Sequence, residues 1–313
     1  MSGKPARRPG APTTAPLPTA AMTPEAPLAA ALYPLPDADI DRFLQEDVPY
    51  GDLTTILLGI GARAGRMVFS TRHETVACCT EEAARLLERV GCHIELLEPS
   101  GTLLAAECPL LEVTGRADSL HMGWKAALNL LEAASGIATR MRTLVQEARA
   151  VAPGVEVVAT RKVFPGTKSV ATKAVYAGGG LPHRLGLSES VIVFAQHVAF
   201  LDGEEELWIR LHDLKKQARE KKIAVEVTDR AAAVRAAAAG VDIVQVDKMA
   251  PEELRNLVQA VREASPATIV AAAGGINESN ARAYAATGVD LLVTSAMYWG
   301  KPADIAVRME AMG

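Results

Sequence analysis

The stretch IAVEVTDRAAAVRAAAAGVDIVQVDKMAPEELRNLVQAVREASPATIVAAAGG, residues 223–275, decides the fold class. It contains three short apolar runs of strand length, at residues 223–227, 242–246 and 268–273. Helical patterns lie between them at 229–239 and 251–264, and Pro251 suits the first turn of the second helix. Short strands that alternate with helices are typical of βα units in a parallel sheet.

The same alternation continues on both sides of this stretch. Further apolar runs occupy residues 155–159, 191–194 and 290–294, and further helical patterns occupy residues 205–221 and 277–287. No G-x-G-x-x-G follows a first strand, which disfavours a dinucleotide-binding sheet. The pattern therefore predicts an α/β barrel.

The region before the barrel has a mixed α+β pattern. Strands are predicted at residues 66–71, 92–97 and 110–114. A helix is predicted at 80–90, with Thr80 as its N-cap, because Glu81 and Glu82 follow it. A long helical pattern at 120–150 places apolar residues on one face and is expected to join the two regions.

The composition limits the class of protein. Of the 313 residues, 49% are hydrophobic and 22% are charged, as in a globular protein, and the net charge of −4 gives no general attraction to nucleic acid or anionic lipid. No apolar run reaches the roughly 18 residues that span a bilayer. The four cysteines show no paired spacing, which favours reduced thiols and a cytoplasmic location.

The first 33 residues differ from the rest of the chain. They are rich in Pro, Ala and Thr, carry basic residues near the start and lack an apolar signal core. We expect a disordered tail at 1–33, with Met22 as an alternative start.

Polar residues or glycines follow nearly every predicted strand of the barrel. They are Thr160, Arg161 and Lys162, then Gln196 and His197, then Glu226, then Asp247 and Lys248, then Gly274 and Gly275, and last Ser295. Because an α/β barrel assembles its active site at the carboxyl ends of its strands, these residues are expected to converge.

A basic cluster within this set predicts an anion-binding site. Its members are Arg161, Lys162, Lys168, His183 and Arg184. Guanidinium and ammonium groups suit phosphate or carboxylate oxygens. The glycine run at 178–180 would let backbone N–H groups approach the same anion, although a solvated basic loop and a flexible turn are the simpler alternatives.

Two acidic residues stand at strand ends. Glu226 lies inside an apolar strand, so its carboxylate needs a partner, and Lys162, Arg184, Lys248 or a metal could supply it. Asp247 could hold Mg²⁺ or ribose hydroxyls, or cap the following turn.

The segment AAGGIN, residues 272–277, is a second candidate anion site. It ends one predicted strand and leads into a helix predicted to begin at Asn277. This is the late-barrel position where backbone donors and a helix N-terminus often hold phosphate.

Seven motifs in the same order resemble the quinolinate phosphoribosyltransferase family, the decarboxylating nicotinate-nucleotide pyrophosphorylases. They are EDVPYGDLTT (46–55), ALNLLEAASGIATR (127–140), TRKVFPGTK (160–168), AGGGLPHRLGLSE (177–189), VEV around Glu226, VDK (246–248) and AAGGIN (272–277).

The resemblance implies a definite architecture. It implies an N-terminal α+β sandwich domain at 34–134, joined by a C-terminal helix at 299–313, and an incomplete α/β (TIM-like) barrel at 135–298. It also implies homodimers with a shared active site, phosphoribosyl pyrophosphate as co-substrate and Mg²⁺ as cofactor.

The resemblance also implies roles for single residues. Arg161, Lys162, His183 and Arg184 would surround a pyridine dicarboxylate and the phosphates. Glu226 and Asp247 would hold ribose hydroxyls and Mg²⁺, and together with Lys162 they would form the catalytic group. The phosphate-binding group would be Ala273, Gly274, Gly275 and Ser295.

Several positions depart from the family pattern. Lys125 stands where the family has Arg, and Phe194 stands where it has Lys. Further departures are Pro182, Lys248, Ala273 and Ser295. With these residues, the chain resembles the ModD subfamily, which is associated with molybdenum transport. We expect substrate contacts from Lys125, Phe194 and Lys248, and an acceptor ring that is less charged or larger than quinolinate.

Two other functions compete with phosphoribosyl transfer. The first is a non-catalytic or regulatory module that holds a phosphorylated ligand in the altered barrel site. The second is an aldolase that forms a Schiff base on Lys162 or Lys248, which is disfavoured because neither lysine has an evident apolar pocket.

Overall fold

A computed structural model describes residues 33–313. The predicted disordered tail therefore lies outside the described residues, apart from its last position. Within residues 33–313, no helix is both long enough and apolar enough to cross a membrane.

The N-terminal region is built around a four-stranded antiparallel sheet. Its helices are α1 (Asp37–Asp47), α2 (Leu53–Leu58) and α3 (Thr80–Arg89), and its strands are β1 (Ala64–Thr71), β2 (Thr75–Val76), β3 (His93–Leu97), β4 (Leu103–Leu104) and β5 (Pro109–Arg116). The main sheet has the order β13-β1-β5-β3, in which the edge strand β13 (Ile305–Ala311) comes from the C-terminal end of the chain. The three strands predicted from the sequence here are confirmed.

The C-terminal segment corrects one expectation. Instead of a helix at 299–313, it forms strand β13 (Ile305–Ala311), which pairs antiparallel with β1. The sequence IAVRMEA alternates apolar and polar residues, a period of two that suits a strand. Ile305, Val307 and Met309 pack onto the N-terminal core, so the segment does return to this domain, but as an edge strand.

The start of α3 corrects a smaller expectation. Thr80 is the first helical residue, and Cys79 occupies the N-cap position in a left-handed conformation with φ 59°. The Thr80 hydroxyl is buried and makes no hydrogen bond with the described residues. Thr80 is therefore not the cap that the sequence predicts.

Helix α4 (Ala117–Arg149) runs through both domains, as predicted. Leu120 and Leu131 in its first half are buried in the N-terminal core. Met141 and Leu144 in its second half are buried in the barrel core. One continuous helix thus fixes the orientation of the two domains.

The barrel is a seven-stranded, all-parallel sheet. Its strands are β6 (Glu156–Ala159), β7 (Leu181–Pro182), β8 (Val191–Val193), β9 (Ile223–Val227), β10 (Ile243–Asp247), β11 (Ile269–Ala273) and β12 (Leu291–Thr294), in the order β7-β6-β12-β11-β10-β9-β8. Strands β7 and β8 are the two edges and do not pair, so the barrel is incomplete. Its helices are α5 (Lys168–Ala177), α6 (Ala195–Val198), α7 (Glu204–Gln217), α8 (Arg230–Ala238), α9 (Pro251–Ala264) and α10 (Ala281–Ala285), and a 3₁₀ turn lies at Ala296–Tyr298.

The last barrel helix is shorter than the sequence predicts. The pattern at 277–287 forms a helix only over Ala281–Ala285. Before it, the side chain of Asn280 accepts a hydrogen bond from the N–H of Asn277 at 2.8 Å and donates to the carbonyl of Gly275 at 3.0 Å. These bonds hold 275–280 in a turn, because Asn side chains compete with the backbone for its partners.

Candidate active site

A cavity of about 880 Å³ lies at the carboxyl ends of the barrel strands. It is lined by Thr160, Arg161, Lys162, His183, Arg184, Ile192, Phe194, Gln196, Glu226, Gln245, Asp247, Lys248, Ala273, Gly274, Gly275, Ile276, Asn277, Val293, Thr294, Ser295 and Ala296. The structure therefore brings together most of the residues that we selected for the site. It leaves out Lys125, Lys168, His197 and the glycine run at 178–180. This placement agrees with the rule for α/β barrels, because the carboxyl ends of all the parallel strands lie at the same face of the barrel.

One side of the cavity is basic. Arg161 and Lys162 follow β6, and His183 and Arg184 follow its neighbour β7. Burial lowers the pKa of Arg184, and the nearby charge of Arg161 lowers it further. This mutual repulsion would be relieved by a bound anion, which makes the side suited to phosphate or carboxylate groups.

The surroundings of His183 disfavour the protonated form of its imidazole. Burial lowers the pKa of its imidazole below the ordinary value of 6.5, and the positive charge of Arg184 lowers it further. Its backbone N–H donates to the carbonyl of Ala159 at 2.9 Å, which joins it to the end of β6. The ring can therefore gain a proton when a negative ligand enters.

The opposite side of the cavity is acidic. Glu226 on β9 and Asp247 on β10 belong to adjacent strands. Glu226 accepts a hydrogen bond at Oε2 from the side-chain amide of Gln245, at 2.8 Å. The partner of Glu226 is thus an amide and not one of the expected cations Lys162, Arg184 and Lys248.

Asp247 is paired with the residue that follows it. The ammonium of Lys248 lies 3.1 Å from Oδ2 of Asp247. Lys248 has φ 55°, a left-handed backbone that is uncommon outside glycine, and its N–H donates to the carbonyl of Ala273 at 2.8 Å. The turn after β10 is therefore tied to the end of β11 beside the two glycines.

Gly274 is required by this close packing. Its φ is +89°, and a Cβ there would lie 2.5 Å from Cγ of Lys248 and 2.6 Å from Oδ1 of Asp247. Gly275 also has a positive φ of +73°, but the space beside it is open. Gly274 thus lets the turns after β10 and β11 pack closely, and Gly275 leaves open space beside them. The short α10 gives no helix N-terminus here, which corrects that part of the prediction.

The glycine run at 178–180 is not an anion cradle. Its three N–H groups donate to the carbonyls of Ala174, Tyr176 and Val175 at the end of α5. A Cβ at Gly178 would lie 2.5 Å from the carbonyl oxygen of Ala138 in α4. The run therefore ends α5 and lets it pack against α4.

Lys168 also lies outside the large cavity. Its ammonium donates to the carbonyl of Leu185, which keeps it on the loop after β7. The neighbouring Gly166 accepts a hydrogen bond at its carbonyl from Arg42 of α1 at 3.3 Å. The basic cluster in the cavity is thus smaller than the sequence predicts.

Phe194 lies at the carboxyl end of β8. Its ring stacks on His197 with 5.8 Å between the ring centroids, and its N–H donates to Nδ1 of His197 at 2.9 Å. His197 therefore shapes the first turn of α6, and Phe194 presents a half-buried aromatic wall to the cavity.

Lys125 is not part of the cavity in its own chain. It is exposed on α4 in the N-terminal domain, with its ammonium 5.7 Å from the ring centroid of Trp124. A single chain does not bring it to the other predicted site residues.

Gln245 is a site residue that we did not single out. It lies inside β10, whose sequence is IVQVD, and only 5% of it is exposed. A buried polar side chain in an otherwise apolar strand was a visible signal, of the same kind that pointed to Glu226.

Comparisons with known proteins agree with this arrangement. The family model described as "Quinolinate phosphoribosyl transferase, C-terminal domain" matches residues 137–308, and the model of the corresponding N-terminal domain matches residues 52–135. A protein of Rhodobacter capsulatus named "Putative pyrophosphorylase ModD" is 40% identical over 80% of this chain and 96% of its own length. A Methanothermobacter thermautotrophicus protein named "Probable nicotinate-nucleotide pyrophosphorylase [carboxylating]" is 33% identical over 87% of this chain and 98% of its own.

A solved structure gives the same result for the fold. The nicotinate-nucleotide pyrophosphorylase from Francisella tularensis superposes with a TM-score of 0.81 at 25% identity. The superposition covers 89% of this chain and 99% of that one. The two-domain arrangement with an incomplete barrel is therefore shared over nearly the whole of both chains.

Proposed function

The chain belongs to the quinolinate phosphoribosyltransferase family of pentosyltransferases, and we propose that it transfers a phosphoribosyl group from phosphoribosyl pyrophosphate to quinolinate or a related nitrogen heterocycle, releasing pyrophosphate. We further propose a cytoplasmic role connected with molybdenum metabolism. This rests on the resemblance to the ModD subfamily, whose name the relatives of 34–40% identity share.

The observation that carries the proposal is the division of charge across the cavity. Cations lie at the ends of β6 and β7, carboxylates lie at the ends of β9 and β10, and Gly274 and Gly275 lie between them after β11. A substrate with phosphates on a sugar needs cations for the phosphates, acceptors for the hydroxyls and space beside them. The cavity offers all three within about 880 Å³.

The chemistry follows from these groups. The bond between ribose C1 and the pyrophosphate oxygen breaks as a ring nitrogen forms a bond to C1. Arg161, Lys162 and Arg184 stabilise the negative charge of the reacting anions, and Glu226 and Asp247 orient the ribose through its hydroxyls. Catalysis would therefore come from positioning and charge, without a nucleophile from the protein.

The residues fit a magnesium ion that is shared with the substrate. Among residues 33–313, no group of three or more His, Cys, Asp or Glu could hold a metal by itself. Mg²⁺ is commonly bound through one or two carboxylates plus substrate phosphates, and Glu226 and Asp247 on adjacent strands supply that number. When bound, the ion would neutralise charge that develops on the departing pyrophosphate.

We also propose a homodimer in which the partner subunit's Lys125 enters the cavity. Lys125 lies outside the cavity of its own chain. In addition, α2 of the same domain exposes Leu53, Ile56, Leu57 and Leu58 by 64–76%, an apolar surface that a second copy would cover. Both observations support a shared site.

Phe194 would select the acceptor. Its aromatic wall stands where the family has a lysine, so the position no longer attracts a carboxylate of the base. An acceptor that is less charged or larger than quinolinate fits this wall better. Phe194→Lys is expected to raise kcat/KM for quinolinate relative to the wild type, and equal activity of the two proteins on quinolinate would contradict the assignment.

A turnover assay tests the proposed function. The protein is supplied with phosphoribosyl pyrophosphate, Mg²⁺ and a panel of pyridine and purine-like bases, and pyrophosphate release is followed. Release that depends on one of the bases supports the transferase. Binding of phosphoribosyl pyrophosphate without release, for every base, would instead favour a non-catalytic module.

A further inference from the structure

Gln245 lies at the acidic side of the cavity but is not one of its charged groups. It is two residues before Asp247 on β10, so both side chains leave the same face of the strand. It is also the register partner of Glu226 on β9. Gln245 is thus adjacent to both carboxylates.

The two polar ends of the Gln245 amide have different environments. Nε2 donates to Oε2 of Glu226 at 2.8 Å. Oε1 is shielded from solvent and has no hydrogen-bond partner among residues 33–313. Rotating the amide by half a turn would place Oε1 against the carboxylate, where two acceptors repel each other, so Glu226 fixes the orientation of the amide.

This arrangement is unfavourable for a side chain that only fills space. A buried oxygen without a partner destabilises the fold, and an apolar side chain of similar size would avoid that cost. What Gln245 provides in return is one charge-assisted hydrogen bond to Glu226, which holds one carboxylate oxygen.

We propose that Gln245 is a positioning residue that orients the Glu226 carboxylate, so that its other oxygen faces the ribose hydroxyls of phosphoribosyl pyrophosphate. This inference rests on the proposed function. Without the amide, the Glu226 side chain can rotate away from the strand or turn toward the cations across the cavity. Gln245 would therefore act on the ligand only through Glu226.

Binding of phosphoribosyl pyrophosphate with Mg²⁺, measured by calorimetry, tests the inference with four variants. Gln245→Met keeps the length of the side chain and removes both polar atoms. We expect its Kd to rise on the order of tenfold, because binding must then order the Glu226 carboxylate that Gln245 otherwise holds in place. Its melting temperature is expected to change little, because loss of the hydrogen bond to Glu226 is offset by removal of the unpartnered oxygen.

The same change in a Glu226→Ala background separates positioning from direct contact. If Gln245 acts through Glu226, Gln245→Met weakens binding no further in that background. The matched control is Gln259→Met, because Gln259 donates to Glu263 at 3.1 Å on an exposed face of α9, far from the cavity. With an accepted base, kcat is expected to fall in Gln245→Met more than the KM of the base rises.

The outcomes are distinguishable. Wild-type binding that Gln245→Met leaves unchanged overturns this inference alone. Equal weakening with and without the Glu226 side chain overturns it as well, because Gln245 would then act by another route. A wild-type protein that does not bind phosphoribosyl pyrophosphate overturns the proposed function, and this inference with it.

Discussion

The ammonium of Lys173 lies 2.6 Å from Oε2 of Glu82, and both side chains are almost completely buried. Lys173 belongs to α5 of the barrel, and Glu82 belongs to α3 of the N-terminal domain. Glu81 adds a second carboxylate at 2.9 Å, and Glu82 also accepts from the N–H of Leu35 at 3.1 Å. The contact between the two domains therefore contains a fully paired ionic group.

Lys173→Met is expected to destabilise the protein strongly. Removing the ammonium leaves the buried carboxylate of Glu82 without its charged partner, which costs about 3 to 5 kcal/mol. For a chain of this size we expect the melting temperature to fall on the order of 10 °C. Thermal unfolding measures this. Lys216→Met is the control, since Lys216 is exposed and pairs with Asp213 at the surface; a similar loss in both variants would contradict the role of burial.

Gly178→Ala is expected to separate α4 from α5. The added Cβ would lie 2.5 Å from the carbonyl oxygen of Ala138, a backbone atom that cannot move easily. We expect a loss of about 1 to 3 kcal/mol in the free energy of unfolding, as for other overpacked sites. Denaturant unfolding measures it. Gly154→Ala, which has nothing within 4 Å of its new Cβ, is expected to change little, and equal effects would argue against close packing.

Binding of an anion at the basic side is expected to protonate His183. Burial and Arg184 lower the pKa of His183 in the free protein, and a bound anion raises it again. The complex therefore binds more protons than the free protein. Affinity is expected to rise as the pH falls through the raised pKa of His183 in the complex, and to level off below its lowered pKa in the free protein. Calorimetry with pyrophosphate at several pH values measures this. His183→Gln is the control, because pyrophosphate itself still titrates in that experiment but residue 183 does not. If the affinity of both proteins had the same pH dependence, the anion would bind away from His183.

Mixing two inactive variants tests the shared site. Lys125→Ala and Glu226→Ala each remove one residue of the proposed composite site. In a mixed dimer, one of the two sites regains both residues, so subunit exchange is expected to restore up to about a quarter of wild-type activity. Activity after mixing, compared with each variant alone, is the measurement. No recovery despite proven exchange would mean that Lys125 does not act across the interface.

The barrel could be predicted because its signals are local. The strand at Ile223–Val227 has the predicted bounds, and Glu226, Asp247 and Gly274 were found because each stands at the end of an apolar run. The N-terminal strands have the same basis, since apolar runs bounded by turn residues are visible without a knowledge of their partners.

Several of the errors depend on partners distant in the chain. β13 forms a strand because it pairs with β1, which is more than 230 residues away in sequence. The glycine run at 178–180 lets α5 pack closely against α4, and the hydrogen-bond partner of Glu226 is a residue on the next strand. Lys125 shows a related limit, since the sequence pattern does not tell that it lies on an exposed face of α4, outside the cavity of its own chain.

The most direct test of the central claim is the mass of the product formed from phosphoribosyl pyrophosphate and a nitrogen heterocycle in the presence of Mg²⁺. We expect the wild type to release pyrophosphate together with a phosphoribosylated base. Glu226→Ala is expected to lose this activity by orders of magnitude while it keeps its fold. No phosphoribosylated product with any base, from a folded protein that binds phosphoribosyl pyrophosphate, would contradict the account.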